Sequence, residues 1–249
     1  MRCGPHDPLA AVGGVFLTAE WRHLAMVSFE VDPALLRPLI PAGTELDTYH
    51  GRVLMSLVGF RFLRTRVFGV RVPFHQDFAE VNLRFYVKRE VGAELRHGVT
   101  FIREIVPRRL IALVARLAYN EPYVALPMRS EATPARVQYA WRNAGAWQHL
   151  ALRARGSAVV PDAQSETAFI TDHQWGYTRQ RDGSTVEYRV EHAPWRVWEG
   201  TDAEITGDPS PLYGGAVAAT LGGVPASAFL ADGSPVTVFR PVTLRRFGP

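Results

Sequence analysis

The run Glu80-Val81-Asn82-Leu83-Arg84-Phe85-Tyr86-Val87 decides how this chain is read. Side chains alternate across a strand, so Val81, Leu83, Phe85 and Val87 share one face while Glu80, Asn82, Arg84 and Tyr86 share the other. The first face is wholly apolar. The second carries an acid, an amide, a guanidinium and a phenol about 7 Å apart, from a rise of about 3.3 Å per residue. Such a row suits the wet face of an amphipathic strand. It also suits the inside of a curled sheet, where each group needs a partner or a ligand. Asparagine is depleted in strands, and a solvated face does not require this mixture of donors and acceptors.

The rest of the chain is compatible with such a sheet. Its 249 residues fit one large domain or two small ones, with 47% hydrophobic and 21% charged residues, an ordinary globular composition. No repeat, linker or composition break divides it, which predicts a single domain over 1–249. A net charge of +4 and a pI of about 9.5 raise nucleic acid or membrane as partners. However, Arg61, Arg64, Arg66 and Arg71 are separated by apolar residues, so neither partner is expected. No apolar run is long enough to span a bilayer. The apolar stretch from Leu9 to Ala19 is interrupted as a signal peptide by Gly13-Gly14, so cytoplasmic residence is the expectation. Cys3 is the only cysteine, which excludes an internal disulfide and a multi-cysteine zinc site. Lys88 is the only lysine.

Element by element, the pattern is mainly β (β-rich α+β) with a few short helices. Trp21 to Val31 reads as a strand, followed by Asp32-Pro33, an N-cap with proline at the first helical position. Val53 to Phe62 is a nearly continuous apolar run, as in a strand covered on both faces. Arg64 to Gln76 reads as a long connection. After the opening run, Glu90 to Leu95 and Val99 to Val106 read as two strands turning at His97-Gly98. Pro107 to Tyr119 has the widest apolar helical face and ends at Asn120. Further strands are expected at 137–141, 149–154, 186–192, 196–198 and 236–245, with a turn at Asp232-Gly233 and short helices at 165–172 and 225–231.

Several local motifs resemble a known family: Trp21-Arg22-His23, Pro38-Leu39-Ile40-Pro41-Ala42-Gly43, Asp47-Thr48-Tyr49-His50-Gly51-Arg52, and Phe78-Ala79-Glu80-Val81-Asn82-Leu83-Arg84. So do Asn120-Glu121-Pro122-Tyr123, Trp175-Gly176-Tyr177 and His192-Ala193-Pro194-Trp195. Together they resemble the YqjF-like family of uncharacterised bacterial proteins over most of the chain. That resemblance implies kinship with the acetoacetate decarboxylase-like superfamily, hence a β-barrel or cone with an interior pocket. It also implies homo-oligomeric assembly, with the helix at 107–119 as a candidate interface. In the decarboxylases, a turn after a helix carries a Pro-Lys-Lys sequence whose first lysine forms a Schiff base. Here the turn reads Asn120-Glu121-Pro122-Tyr123-Val124, so the proline is kept and both lysines are missing. Lys88 lies beside Arg89 and Glu90, as in an exposed turn. Imine chemistry, which needs an amine of lowered pKa, is therefore disfavoured.

Glu80 and Tyr123 are the candidate catalytic residues, and Arg84, Asn82, Tyr86 and His192 the candidate substrate-binding residues. Glu80 can carry a proton, Arg84 can clamp an anion, and Tyr123 or Tyr86 can donate to a carbonyl. The plainer alternatives are that Glu80 and Arg84 pair with each other or with Arg103 and Glu104, and that Tyr123 only packs a helix end. His192 as a structural residue is the commoner case. His75, Asp77 and Glu80 match no standard metal set, and His149 and His173 have no assignable partner, so neither metal nor cofactor is expected. No phosphate-binding glycine loop and no Gly-x-Ser-x-Gly elbow occurs. The expected ligand is a small organic acid or carbonyl compound, with lyase or isomerase chemistry. The alternative is a non-catalytic binding or sensing barrel.

Overall fold

Long strands dominate the computed structural model, which describes residues 14–133 and 135–244. Cys3, most of the apolar stretch from Leu9, and Arg245 lie outside them. The chain begins with β1 (Val15–Glu30), α1 (Pro33–Leu36), β2 (Glu45–Leu46), β3 (Leu54–Val67) and β4 (Val70–Arg71). Next come β5 (Phe78–Val91), β6 (Glu94–Val106), α2 (Arg109–Tyr119), β7 (Tyr123–Ala125), β8 (Met128–Ala132), β9 (Arg136–Asn143) and β10 (Ala146–Val159). The last part holds α3 (Glu166–Thr171), β11 (Trp175–Arg179), β12 (Thr185–His192) and β13 (Val197–Thr206), then α4 (Ser210–Tyr213), α5 (Gly215–Leu221), β14 (Ser227–Phe239) and β15 (Val242–Thr243).

Seven of these strands close on themselves. The run β12-β11-β6-β5-β3-β1-β14 becomes a barrel because Val190, Glu191 and His192 of β12 pair with Val238, Thr237 and Val236 of β14. The other half of β14 pairs with β13, through Val197 and Ala231, and leads into a second layer, β13-β10-β9-β8. This layer covers the outside of the barrel. Ala25, Val27, Leu57, Val81 and Leu83 there share one buried cluster with Val137, Tyr139, Leu150 and Leu152. The Tyr139 hydroxyl donates to the His23 carbonyl across the layers at 2.7 Å. A second cluster, including Leu24, Met26, Val58, Phe60, Val99 and Trp195, faces the barrel interior.

Local chemistry accounts for several boundaries. The Asp32 side chain accepts from the Ala34 N–H at 2.8 Å, capping α1, and Ser165 does the same for α3 at Ala168. Asn120, at φ 56°, closes α2 in the left-handed conformation.

Other boundaries differ from the sequence expectation. The segment expected to be a connection from Arg64 is strand as far as Val67, and Val70–Arg71 folds back on it. The two strands expected after the opening run are instead the end of β5 and the whole of β6, turning at Gly92-Ala93; His97 and Gly98 lie within the ladder, opposite Lys88 and Val87. Lys88 is thus not in a turn, and its ammonium pairs with Glu45 at 3.3 Å. The helix expected at 225–231 is the start of β14, and the helix of this region is α5. The expected turn at Asp232-Gly233 is an irregularity inside β14. Gly233 has φ +78°, and a Cβ there would lie 2.0 Å from the Trp21 carbonyl oxygen, so the strand can pass only without a side chain.

Candidate active site

Closure of the barrel settles which way the polar face of β5 points. Glu80, Asn82 and Arg84 line an interior cavity of about 240 Å³, together with Tyr123 and His192. Its walls are otherwise mostly apolar, among them Trp21, Val58, Phe60, Phe101 and Ile111. Tyr86 shares their strand face but does not line the cavity. Its hydroxyl lies 2.6 Å from the Ser56 hydroxyl, which in turn meets Ser28 at 2.8 Å.

One polar floor comes from strand register. Asn82 of β5 stands opposite Glu104 of β6, and Glu104 stands opposite Tyr123 of β7, so the three form a row across the sheet. Glu80 is one strand repeat away on the same face. Its two oxygens are held by the Asn82 amide at 3.1 Å and the Tyr123 hydroxyl at 3.0 Å, both donating. Glu121, carried by the turn that Asn120 initiates, accepts from the Tyr188 hydroxyl at 2.8 Å and from Thr178. Tyr188 reaches it across Gly176, where a Cβ would lie 2.1 Å from the tyrosine ring.

Three buried carboxyls in one apolar cavity do not all ionise at neutral pH. Burial pushes Glu80 up to about 7, against the hydrogen bonds from Asn82 and Tyr123 and the nearby Arg84 charge. Burial likewise brings Glu121 to about 7, with Thr178 and Tyr188 opposing and Glu80 adding to the rise. Glu104 is raised well above the carboxylate range, first by burial and then by the charges of Glu121 and Glu80. Burial, then Glu104 and Glu80, raise the Tyr123 phenol well above its usual value, so it stays a donor. The three carboxyls therefore titrate as a set.

Arg84 takes a different position from either plain pairing weighed above. Its guanidinium donates to the Ile170 carbonyl at 3.3 Å and lies 5.8 Å from the Tyr86 ring centre, and it makes no ion pair among the described residues. Among the described residues its buried Nε has no hydrogen-bond partner, nor do Asn82 Oδ1, Glu104 Oε2 and Glu121 Oε2. His192 bonds through Nδ1 to the Ala193 carbonyl at 3.1 Å and stacks on Trp195; burial lowers its pKa. His75 lines the cavity too, with its Nδ1 bonded to the Pro73 carbonyl, and Asp77 accepts from the Arg64 N–H, so the two do not join Glu80 as a metal set. Among the described residues, the one His and carboxylate group with metal-ligand spacing is Asp47, His97 and His173.

Residues 18–235 match the DUF2071 family of uncharacterized conserved proteins. The chain belongs to this family. It is 29% identical over 199 residues to the uncharacterized protein YqjF of Bacillus subtilis, covering 78% of this chain and 79% of that protein. Solved structures with the same fold include acetoacetate decarboxylase from Legionella pneumophila, at TM-score 0.68 and 12% identity over 99% of this chain and 93% of the other. An acetoacetate decarboxylase-like enzyme from Sphingomonas wittichii RW1 matches at TM-score 0.63 and 14% identity over 93% and 94%. The enduracididine biosynthesis enzyme MppR, complexed with pyruvate, matches at TM-score 0.62 and 13% identity over 98% and 96%. These likenesses establish an acetoacetate decarboxylase-like barrel for this DUF2071 protein. Among the described residues of the chain, no helix is long and apolar enough to cross a membrane.

Glu104, Glu121, Thr178 and Tyr188 are site residues that are not among the sequence candidates. Glu104 carries a signal in the alternation of its strand, but only as a possible charge partner. Nothing local marks Tyr188 or Thr178, whose strands reach the site through closure of the barrel.

Proposed function

We propose that this barrel is an acid–base enzyme, a lyase or isomerase acting on a small organic acid or carbonyl compound without a covalent imine. The observation that carries the reading is that Glu80, its carboxyl pushed up to about 7 by burial, lines the same cavity as Arg84, whose guanidinium makes no ion pair among the described residues. Arg84 takes the ligand's carboxylate, with His192 and Asn82 beside it. Ionised Glu80 removes a proton from the carbon next to the carbonyl. The electron pair moves onto the carbonyl oxygen, which accepts a proton from Glu104 or Glu121 in the acid form, while Tyr123 holds Glu80 in place. Return of the proton at another carbon is isomerisation; departure of a β-substituent is a lyase reaction.

An imine does not suit these residues. Lys88, the one lysine, is paired with Glu45 and does not line the cavity. Pyruvate, the ligand of the fold relative MppR, combines the carboxylate and ketone that Arg84 and Glu80 would meet.

Thermal shift against 2-oxo acids, β-keto acids and their reduced analogues tests the proposal on wild type and Arg84→Ala. Stabilisation by an acid that Arg84→Ala abolishes, with turnover lost by at least about 100-fold in Glu80→Gln, is the expected result. Indifference to Arg84 would overturn the anion clamp. The missing lysine pair favours a second reading, a non-catalytic small-molecule-binding or sensing barrel, which predicts the same shift and no turnover that depends on Glu80.

A further inference from the structure

Asp47, His97 and His173 come from three separate segments and meet beside the end of β5. Asp47 follows β2, and its N–H bonds to the Tyr86 carbonyl at 3.0 Å. His97 lies in β6 opposite Lys88, and His173 follows α3 with its ring against Tyr86. His97 Nδ1 lies 2.6 Å and His173 Nε2 3.0 Å from the same oxygen, Asp47 Oδ2.

The hydrogen bonding of His173 makes this more than an ion cluster. Its Nδ1 lies 2.6 Å from the Phe169 carbonyl oxygen, an acceptor only, so Nδ1 carries the proton and donates. A neutral ring then aims the Nε2 lone pair at a carboxylate oxygen, and two acceptors face each other in a place where both side chains are buried. A cation resolves that conflict. An imidazole with one nitrogen bonded to a backbone carbonyl and the other presented to a carboxylate has the outer-shell support usual for a metal-ligating histidine.

We propose that Asp47, His97 and His173 bind a divalent transition metal ion of the zinc class, one per chain. The ligand atoms lie within 4.8 Å of one another. Bond lengths of about 2.0–2.1 Å place tetrahedral zinc ligands about 3.3 Å apart. To admit the ion, the 2.6 and 3.0 Å separations open by about 0.7 and about 0.3 Å, while the two ring nitrogens, within 4.8 Å, settle to the same spacing by side-chain rotation. The His97 side chain is 45% exposed, which gives the ion a route in and leaves its fourth position to water. Bound there, the metal clasps the β2 loop, β6 and the end of α3 around the base of Tyr86. This site does not rest on the acid–base reading of the cavity.

Untagged protein, stripped with chelator and dialysed, is titrated with Co²⁺ while its visible absorption is followed, and Zn²⁺ is then added to displace it. The expected result is one equivalent of Co²⁺ with the intense bands of a tetrahedral site, displaced by Zn²⁺, and a melting temperature that rises with Zn²⁺ concentration. His97→Ala, at an exposed side chain, leaves the fold intact and weakens Co²⁺ binding by at least about 100-fold, since losing outer-shell support alone costs up to about that much. Asp47→Asn should do the same. Wild-type protein that shows no tetrahedral Co²⁺ spectrum would overturn the proposal and leave a doubly protonated His173 as the cation. Folded His97→Ala that binds Co²⁺ as tightly as wild type would also overturn it.

Discussion

The two faces of β5 are built from alternate residues of one strand, yet they do opposite work. On the outward face Val81, Leu83, Phe85 and Val87 are fully buried, with Val81 and Leu83 packed among side chains of the β8–β10 layer. Each such burial is worth roughly 1.5–3 kcal/mol. On the inward face Glu80 and Asn82 are buried almost as deeply, beside an Arg84 that makes no ion pair among the described residues, and burying polar atoms without full partners costs stability. The outer face holds the barrel together; the inner face buries polar groups at a cost that the outer face must offset. Adjacent residues thus separate a packing surface from a polar cavity wall.

The contrast is broken most severely from outside. Leu83→Ala should cost about 2–5 kcal/mol in denaturant unfolding, and the folded fraction should respond to ligands as wild type does. A loss of ligand response in folded Leu83→Ala would mean that the two faces are not separable.

Inside, the effect should appear as pH dependence. Glu80 lies at about 7 in the folded protein against 4.5 in the ordinary state, so between these values the folded chain holds a proton that the unfolded chain has released. Stability is then full below 4.5 and is lost as the pH rises through about 7, by on the order of 3 kcal/mol for this group. Glu121 adds a loss over the same range, and Glu104, raised by burial and by the other two carboxyls, adds to the fall with rising pH. Unfolding midpoints measured across this range should fall with rising pH, and Glu80→Gln should flatten part of the slope.

A smaller effect is expected at Gly176, which lets Tyr188 lie across β11 to reach Glu121. Gly176→Ala should cost about 1–3 kcal/mol by displacing that ring. It should also alter ligand response, as Leu83→Ala should not, because the tyrosine donates to a cavity carboxyl. Thermal melts with and without ligand on the two variants separate the cases.

Much of this was readable in the sequence where the evidence was local. The alternation at 80–87, the Asp32 cap, the Asn120 helix end and the lysine-free turn at Tyr123 are each written within a few residues. What the strand alone left open was whether its polar face met water or an interior, because closure depends on the pairing of Val190 with Val238. The same long-range pairing concealed Tyr188 and Thr178, and the approach of Asp47, His97 and His173 joins segments far apart in the chain. The reading failed near glycine. Gly233 sits in a strand irregularity and resembles a hairpin turn, and Gly98 lies in a ladder facing Tyr177. In both places the glycine makes room for a neighbour and does not turn the chain.

The central claim is that Glu80 is an interior carboxyl poised near neutrality, and it is tested most directly by NMR titration of glutamate labelled with ¹³C at the side-chain carboxyl, with Glu80→Gln assigning the resonance. The Glu80 midpoint should lie near 7, coupled to the titrations of Glu104 and Glu121. A midpoint at the ordinary value of about 4.5, moving independently of the other two, would contradict it.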